Sequence, residues 1–260
     1  MKQIEQCEIL SHERLQADIF KLVVSTEQMA EAVQAGQFVM IYLDNGANLL
    51  PRPISIASAE QKKMTLIYHT VGVGTVALSQ KQVGDSLRIL GPLGNGFDLQ
   101  LAGERPWVIG GGIGTPPLYE LTKRLVVQGI TPQVLTGFRD AEQVILTEAF
   151  KALGADVAVT TDDGSVGIKG HVVAYLNQHF AKGDQPLPSA LYACGPTPML
   201  TGLSHWAEER RIPIYLSMEE RMACGIGVCF GCVNKDKHGV NQKVCVDGPV
   251  FSGEAHTWEI

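Results

Sequence analysis

The chain has 260 residues, which is enough for one large domain or two of modest size with their own hydrophobic cores. Only 18% of the residues are charged, 45% are hydrophobic and the net charge is −6, which excludes a disordered chain and disfavours a nucleic-acid-binding one. No apolar run reaches the roughly 18 residues of a membrane span, and the opening segment lacks the apolar core of a signal peptide, so we expect a cytoplasmic protein.

Short β-strands are predicted over the first hundred residues. β-Branched and aromatic runs of strand length alternate there with Gly, Asp and Asn turn signals. The predicted strands are 17–24, 37–43, 53–57, 63–71 and 86–90, with a short helix at 75–80. Such a succession favours an antiparallel barrel.

From residue 105 the pattern changes to strands that alternate with helices, which indicates a parallel sheet with crossover helices. The predicted strands are 107–110, 133–136, 156–160, 191–193 and 212–217, the last of which is expected to complete the sheet. The predicted helices are 116–128, 147–153, 172–180 and 198–210. We therefore divide the chain into a barrel domain at 1–102, an α/β domain at 103–217 and a cysteine-rich segment at 218–260.

One barrel strand carries a motif suited to an anionic ligand, Arg52-Pro53-Ile54-Ser55. An arginine offers a bidentate fork to phosphate, and a serine can hydrogen-bond a heterocycle or its ribityl chain. A surface arginine beside a strand is the alternative interpretation.

Two turns between a strand and a helix are candidate nucleotide-binding loops. The first contains Gly110, Gly111, Gly112, Gly114 and Thr115, and the second contains Cys194, Gly195 and Pro196. Glycines allow a diphosphate to approach the N–H groups at a helix N-terminus, although a tight turn without a ligand is an alternative. Both turns are expected at the carboxyl edge of the sheet, where open α/β folds bind ligands.

Four of the six cysteines lie within 22 residues, with the spacing Cys224-x4-Cys229-x2-Cys232-x12-Cys245. This is the spacing of a plant-type 2Fe-2S cluster, in which one loop supplies three thiolates and a distant residue supplies the fourth. A structural zinc site is the alternative, but zinc ribbons usually pair two short knuckles, and only one C-x2-C is present here.

Taken in order, these motifs resemble the electron-transfer subunits of NAD-dependent (class 1B) dihydroorotate dehydrogenases, within the ferredoxin reductase superfamily. The resemblance also includes Gly91-Pro-Leu-Gly-Asn-Gly-Phe97 and the run from Glu219 to Cys232, and it covers essentially the whole chain. It implies FAD in the barrel, NAD on the parallel sheet and a 2Fe-2S cluster in the C-terminal segment.

The resemblance also implies the residues of the sites. FAD would contact Arg52, Pro53, Ile54, Ser55, Ile67, Tyr68, His69, Gly74 and Thr75. NAD would contact the loop 110–115 and the turn at Cys194, Gly195 and Pro196. Two positions depart from the family pattern. Ile54 replaces a frequent aromatic residue, so stacking on the flavin must be weaker or come from elsewhere, and His69 replaces a frequent arginine, so a phosphate contact there would titrate.

The implied function is electron relay in pyrimidine (UMP) biosynthesis. A partner subunit with FMN would oxidise dihydroorotate, and electrons would pass through the cluster and FAD to NAD⁺. The expected assembly is a heterotetramer with two copies of each chain. The alternatives are a reductase subunit for a sulfur reductase or a glutamate-synthase-type enzyme, and a non-catalytic zinc-stabilised binding module.

Two surface features extend these expectations. Asp162, with Asp163, follows the third parallel strand, where it would repel the 2′-phosphate of NADPH and accept a hydrogen bond from the ribose of NAD. A plain Asp-Gly turn is the alternative.

The loop 222–233 carries apolar residues between the cysteines and is a candidate docking surface for the partner, unless these side chains shield the cluster internally.

Overall fold

The computed structural model describes residues 2–43 and 50–253. Six strands of its N-terminal part form a closed antiparallel barrel with the order β1-β2-β5-β4-β3-β6, so the predicted barrel is confirmed. The strands are β1 (Gln3–Arg14), β2 (Ile19–Ser25), β3 (Phe38–Tyr42), β4 (Arg52–Glu60), β5 (Lys63–His69) and β6 (Ser86–Leu93). Helix α1 (Val73–Ser79) follows β5, at the predicted place.

Strand β1 was not predicted from the sequence; it pairs with both β2 and β6 and thereby closes the barrel. Its 12 residues alternate between the core and solvent, but only Cys7 and Ile9 are fully buried. The apolar Ile4 and Leu10 lie on the exposed side, beside polar residues. The apolar half of the alternation is therefore too sparse to mark a strand by composition.

The second architectural unit is a seven-stranded sheet with the order β10-β9-β8-β7-β11-β12-β15. Its strands are β7 (Trp107–Gly111), β8 (Gln133–Phe138), β9 (Asp156–Thr161), β10 (Ile168–Lys169), β11 (Leu191–Cys194), β12 (Ile214–Ser217) and β15 (Val250–Ser252). The neighbours from β10 to β12 are parallel, as predicted. The expectation that 212–217 completes the sheet is wrong, because β15 pairs antiparallel with β12 at the edge. A three-residue strand is too short to show a period.

Helices cover both faces of the sheet. Apolar side chains of α2 (Pro117–Val127) and α3 (Thr147–Ala152) pack on one face, and those of α4 (Val172–His179) and α5 (Thr197–Arg210) pack on the other. Across residues 2–43 and 50–253, no helix combines the length and the apolar character that crossing a membrane requires.

The cysteine-rich segment folds against the barrel. It contains a hairpin of β13 (Val233–Lys235) and β14 (Asn241–Lys243), and its last residues, 254–260, lie outside the described part of the chain. One apolar cluster combines barrel residues with the segment, and its buried members are Phe38, Met40, Leu90, Leu93, Met218, Cys232, Val244, Cys245 and Phe251. The segment is thus packed on strands β3 and β6.

Candidate functional site

A cleft of about 720 Å³ lies where the barrel, the sheet edge and the cysteine-rich segment meet, and we call it the central cleft. Eight of the nine residues expected to contact FAD line it: Arg52, Pro53, Ile54, Ser55, Ile67, Tyr68, His69 and Thr75. They come from β4, from the neighbouring strand β5 and from helix α1. The structure therefore brings this predicted set together on one wall.

The ninth residue, Gly74, lies behind the Arg52 side chain. A Cβ atom at Gly74 would be only 1.9 Å from Arg52 Nε. Glycine at this position therefore leaves room for the guanidinium, whose Nη1 donates to the Leu50 carbonyl at 2.6 Å. A fixed guanidinium at the rim of a cleft suits a diphosphate.

The two departures from the family pattern have structural counterparts. His69 Nε2 contacts the Asp18 carboxylate, so a neighbouring acid orients the ring. The Tyr68 ring does not replace the aromatic residue missing at Ile54, because it stacks on Phe20 in the barrel core at 5.8 Å. The Tyr68 hydroxyl bonds to His12 Nε2 at 2.9 Å, and burial raises its pKa.

The two predicted nucleotide loops lie side by side, because Gly110 at the end of β7 pairs with Cys194 at the end of β11. A Cβ atom at Gly114 would lie 2.5 Å from the Cys194 carbonyl oxygen, so close contact between the loops requires glycine there. Gly112 has φ +52° and open space around it. Within the described residues, the buried Thr115 Oγ1 has no hydrogen-bond partner. A glycine with free space around it, next to a hydroxyl group without a hydrogen-bond partner, suits a polar ligand at this edge of the sheet.

Asp162 and Asp163 lie away from the central cleft, after β9. The Asp163 carboxylate accepts hydrogen bonds from Ser165 N at 2.9 Å and from Ser165 Oγ at 2.7 Å, and these bonds lower its pKa. Asp163 therefore stabilises its own turn. This geometry matches the alternative interpretation for Asp163 and leaves Asp162 as the candidate for contact with ribose.

The central cleft also contains groups that the site prediction did not include. Ser217, Met218 and Glu219 line it beside Cys194. Burial raises the pKa of Glu219, and burial together with the charge of Glu219 raises the pKa of Cys194 to about 12. Glu219 lies five residues before Cys224, so its position in the sequence indicated a place in the cysteine loop and gave no sign of a place in the cleft.

The four predicted cluster cysteines differ in exposure. Cys232 and Cys245 are buried, with only 2% and 0% of their surface exposed, whereas Cys224 is half-buried and Cys229 is exposed. The buried pair lies against the barrel and the other pair faces outward. A cluster held by all four would therefore have one shielded side and one side open to a partner.

The thiols are arranged in pairs. Burial acts to raise the pKa of Cys224, but hydrogen bonds from the Ile226 N–H and the Cys229 thiol prevail and lower it to about 6. Burial and the contact with Cys232 raise the pKa of Cys245 to about 12. In the described residues, no three His, Cys, Asp or Glu side chains are grouped as a site for one metal ion. Four cysteines in this spacing fit a two-iron cluster better than a zinc ribbon with two short knuckles.

Apolar side chains surround the outward cysteine pair. Ile226, Val228 and Phe230 are exposed at 43%, 68% and 63%, and we call this set the apolar rim. Lys243 borders the rim, because its Nζ donates to the Gly227 carbonyl at 2.8 Å and lies 4.1 Å from the centre of the Phe230 ring. The rim side chains therefore face outward rather than shield the cysteines internally.

Comparison with known proteins identifies close relatives over nearly the full length. Residues 219–256, which include the four cysteines, match the family described as the iron-sulfur cluster binding domain of dihydroorotate dehydrogenase B. The protein of Bacillus pumilus (strain SAFR-032) named dihydroorotate dehydrogenase B (NAD(+)), electron transfer subunit, is 42% identical over 95% of this chain and 95% of its own length. The protein of the same name from Streptococcus pneumoniae (strain R6) is 41% identical over 96% of this chain and 97% of its own.

Solved structures support the same architecture. A chain of an NADH-dependent reduced ferredoxin-NADP oxidoreductase, described in the context of flavin-based electron bifurcation, has a TM-score of 0.87 at 28% identity and covers 98% of this chain and 90% of its own. The Amycolatopsis cytochrome P450 reductase GcoB has a TM-score of 0.72 at 20% identity, covering 83% of this chain and 69% of its own, and shares the fold. The predicted fold class is confirmed.

Proposed function

The chain belongs to the family of electron transfer subunits of NAD(+)-dependent dihydroorotate dehydrogenase B, and from that premise we propose that it relays electrons between a catalytic subunit and NAD⁺ in pyrimidine biosynthesis. Its cofactors are FAD, a 2Fe-2S cluster and NAD. When bound, the cluster transfers single electrons and the flavin couples them to two-electron exchange with the nicotinamide. The chain itself has to bind these groups, fix their separation and exclude water.

The observation that carries the proposal is the meeting of three parts at the central cleft. Arg52 to Ser55 line the cleft, Cys194 lies at the sheet edge, and Met222, which also lines the cleft, is two residues from Cys224. A flavin in the cleft would therefore lie beside both the nucleotide loops and the cluster segment.

We assign the residues of each site accordingly. For FAD, Arg52 binds the diphosphate over Gly74, Ser55 hydrogen-bonds the flavin or its ribityl chain, and the cleft residues Pro53, Ile54, Ile67, Tyr68, His69 and Thr75 complete the site. For NAD, two observations support binding at the glycine loop: Gly112 has open space around it, and the Thr115 hydroxyl has no hydrogen-bond partner among the described residues. The assigned NAD contacts are Gly110, Gly111, Gly112, Gly114, Thr115 and the turn from Cys194 to Pro196, with Asp162 at the ribose. Cys224, Cys229, Cys232 and Cys245 would together hold the two irons of the cluster.

These assignments divide the chain by task. Residues 1–102 bind FAD, residues 103–217 bind NAD and residues 218–260 hold the cluster. The third part is not independent of the second, because β15 completes the sheet of the NAD-binding part. We place the protein in the cytoplasm, where a reducing environment keeps thiolates available to iron.

The partner is a catalytic subunit that holds FMN and oxidises dihydroorotate, in a heterotetramer with two copies of each chain. The apolar rim supports docking beside the outward cysteine pair, because exposed apolar side chains that cluster at one place are typical of interfaces. Sulfur reductases and glutamate synthases remain the competing partners, and the near-complete coverage of named relatives argues against them.

Purification of the chain after co-expression with the dihydroorotate dehydrogenase catalytic chain of the same genome tests the proposal. We expect a coloured complex that contains iron and flavin and reduces NAD⁺ when dihydroorotate is added. The isolated chain should reduce its flavin with NADH but should not oxidise dihydroorotate. A colourless chain with bound zinc, or a complex without dihydroorotate-dependent NADH formation, would contradict the proposal.

A further inference from the structure

Helix α2 carries a buried carboxylate that faces the barrel. Glu120 is only 2% exposed. Its Oε2 accepts hydrogen bonds from Ala59 N at 3.2 Å and Ser58 Oγ at 3.3 Å, both on β4. A side chain of the NAD-binding part is therefore bonded directly to the barrel backbone.

Two cations on the same helix surround this carboxylate. Lys123 Nζ lies 2.6 Å from Glu120 Oε2, and Arg124 Nε lies 2.8 Å from Oε1. Both also reach the barrel, since Lys123 donates to the Ala59 carbonyl at 3.3 Å and Arg124 Nη2 donates to the Val33 carbonyl at 2.7 Å. We call Glu120, Lys123 and Arg124 the α2 clamp.

A buried charge network of this kind is a poor source of stability, because desolvation offsets most of the attraction, but it imposes a defined geometry. Each member of the clamp has a directional bond to a fixed barrel group. Beside the clamp, the interface between barrel and sheet is an open groove of about 990 Å³ with mainly apolar walls, including Leu15, Val157 and Leu146. A buried apolar cluster that includes Ala57 and Ile67 of the barrel and Ile145 of the α/β part borders this groove, and the clamp adds directional bonds to that non-directional packing.

The clamp joins the two elements that matter for transfer between flavin and nicotinamide. Strand β4 begins with the Arg52 to Ser55 motif in the central cleft, and α2 begins two residues after Thr115 of the glycine loop. A change in the angle between β4 and α2 would thus move the two nucleotide sites relative to each other. Hydride transfer requires reacting atoms about 3–3.5 Å apart, and a displacement of about 1 Å can cost a hundredfold in rate.

We propose that Glu120 is a positioning residue that holds the NAD-binding part against the barrel at the separation required for hydride transfer. This inference rests on the proposed function, since it assumes FAD in the central cleft and NAD on the glycine loop. Glu120 acts through the relative placement of the two parts and does not contact either nucleotide.

The test uses the complete complex and Glu120→Gln, which keeps the shape but places an amide N–H against one of the donors now bonded to the carboxylate. We expect the limiting rate of flavin reduction by NADH to fall about ten- to a hundredfold. A deuterium effect from NADH labelled at the transferring position should persist, with little change in the NADH concentration at half-saturation. Electron passage from chemically reduced flavin to the cluster should stay normal, because the cysteines of the cluster segment are packed on the barrel itself.

Hydrogen exchange supplies a readout that does not depend on turnover. We expect the Ala59 amide, a donor to Glu120, to exchange faster in Glu120→Gln, while core barrel amides such as Leu66 are unchanged. The matched control is Glu148→Gln on α3, whose carboxylate is 85% exposed and pairs with Lys151 at 2.8 Å. It should leave both readouts at wild-type values.

An unchanged limiting rate in Glu120→Gln, or a slower rate that appears equally in the flavin-to-cluster step, would overturn the positioning role. If Glu120→Gln loses FAD, Glu120→Asp decides the question, because it keeps the charge but shortens the side chain, which then no longer reaches Ala59 N and Ser58 Oγ, now 3.2 and 3.3 Å from Oε2. A normal rate in Glu120→Asp overturns the inference, and a selective fall supports it. If the wild-type complex is not reduced by NADH at all, the proposed function itself fails. Normal wild-type reduction with a normal Glu120→Gln rate refutes only the inference.

Discussion

Replacement of Phe230 by aspartate should weaken association with the catalytic subunit without loss of the cluster. Phe230 is 63% exposed and lies one residue from Cys229 and two from Cys232. A phenylalanine side chain has about 200 Å² of surface, so about 130 Å² is available to a partner. At about 25 cal/mol per Å², its burial contributes about 3 kcal/mol, or about a hundredfold in Kd.

The same substitution should leave the loop folded. Phe230 has φ +58°, a left-handed conformation that aspartate adopts more readily than phenylalanine. Lys243 loses its contact with the aromatic ring, but its ammonium is placed to pair with the new carboxylate. The change therefore acts on the surface rather than on the cysteines.

Binding should be measured by surface plasmon resonance or calorimetry with the purified catalytic subunit, together with the visible spectrum of each variant. Val127→Asp is the matched control, since Val127 is 83% exposed at the end of α2, on the NAD-binding part. We expect Val127→Asp to bind as the wild type does. A wild-type Kd for Phe230→Asp with an intact spectrum would refute the assignment of the apolar rim as the docking surface.

Four further predictions concern the cofactor sites. Cys232→Ser should abolish the cluster absorption and iron content while FAD stays bound, because a hard oxygen ligand replaces a buried thiolate. Gly74→Ala should weaken FAD binding at least tenfold in a fluorescence titration, because its Cβ would displace Arg52, whose Nε is 1.9 Å away. Asp162→Ser should raise the rate of flavin reduction by NADPH relative to NADH, which the wild type should prefer. Burial raises the pKa of Glu219, so the carboxyl group holds its proton more strongly in the folded state than in the unfolded state. The free energy of unfolding should therefore fall as the pH rises through the pKa of Glu219 in the folded state. Glu219→Gln should remove this pH-dependent loss of stability, measured by urea titrations at several pH values.

Each of these variants has a neighbour that separates the expected cause from a general disturbance. Cys7→Ala changes a cysteine in the barrel core and should keep all iron. Gly72→Ala meets no atom within 4 Å and should bind FAD normally. Asp163→Ser should alter its own turn without changing nucleotide preference, and Glu220→Gln should retain the wild-type pH dependence. Equal behaviour of a variant and its control would contradict the corresponding prediction.

Local patterns account for the parts of the fold that could be predicted. The sheet strands β7 and β11 are continuous apolar runs, and β8 and β9 have apolar centres, because parallel strands are covered on both faces. In contrast, β1 is stabilised mainly by pairing on both sides, and β15 by pairing with an existing edge. Such pairing depends on residues far away in the sequence, so neither strand has a strong signature of its own.

The same distinction between local and long-range patterns applies to the candidate sites. Three of the cluster cysteines are close in sequence, so their spacing alone reflects the geometry of the ligand set. The central cleft instead combines Arg52 with Glu219, which are separated by most of the chain and meet only when the barrel packs on the sheet. Glu120 is the extreme case, because charged residues at its spacing on a helix normally face solvent. Its burial follows from the approach of β4, and it can act as a positioning group only when the barrel and the α/β part are packed together.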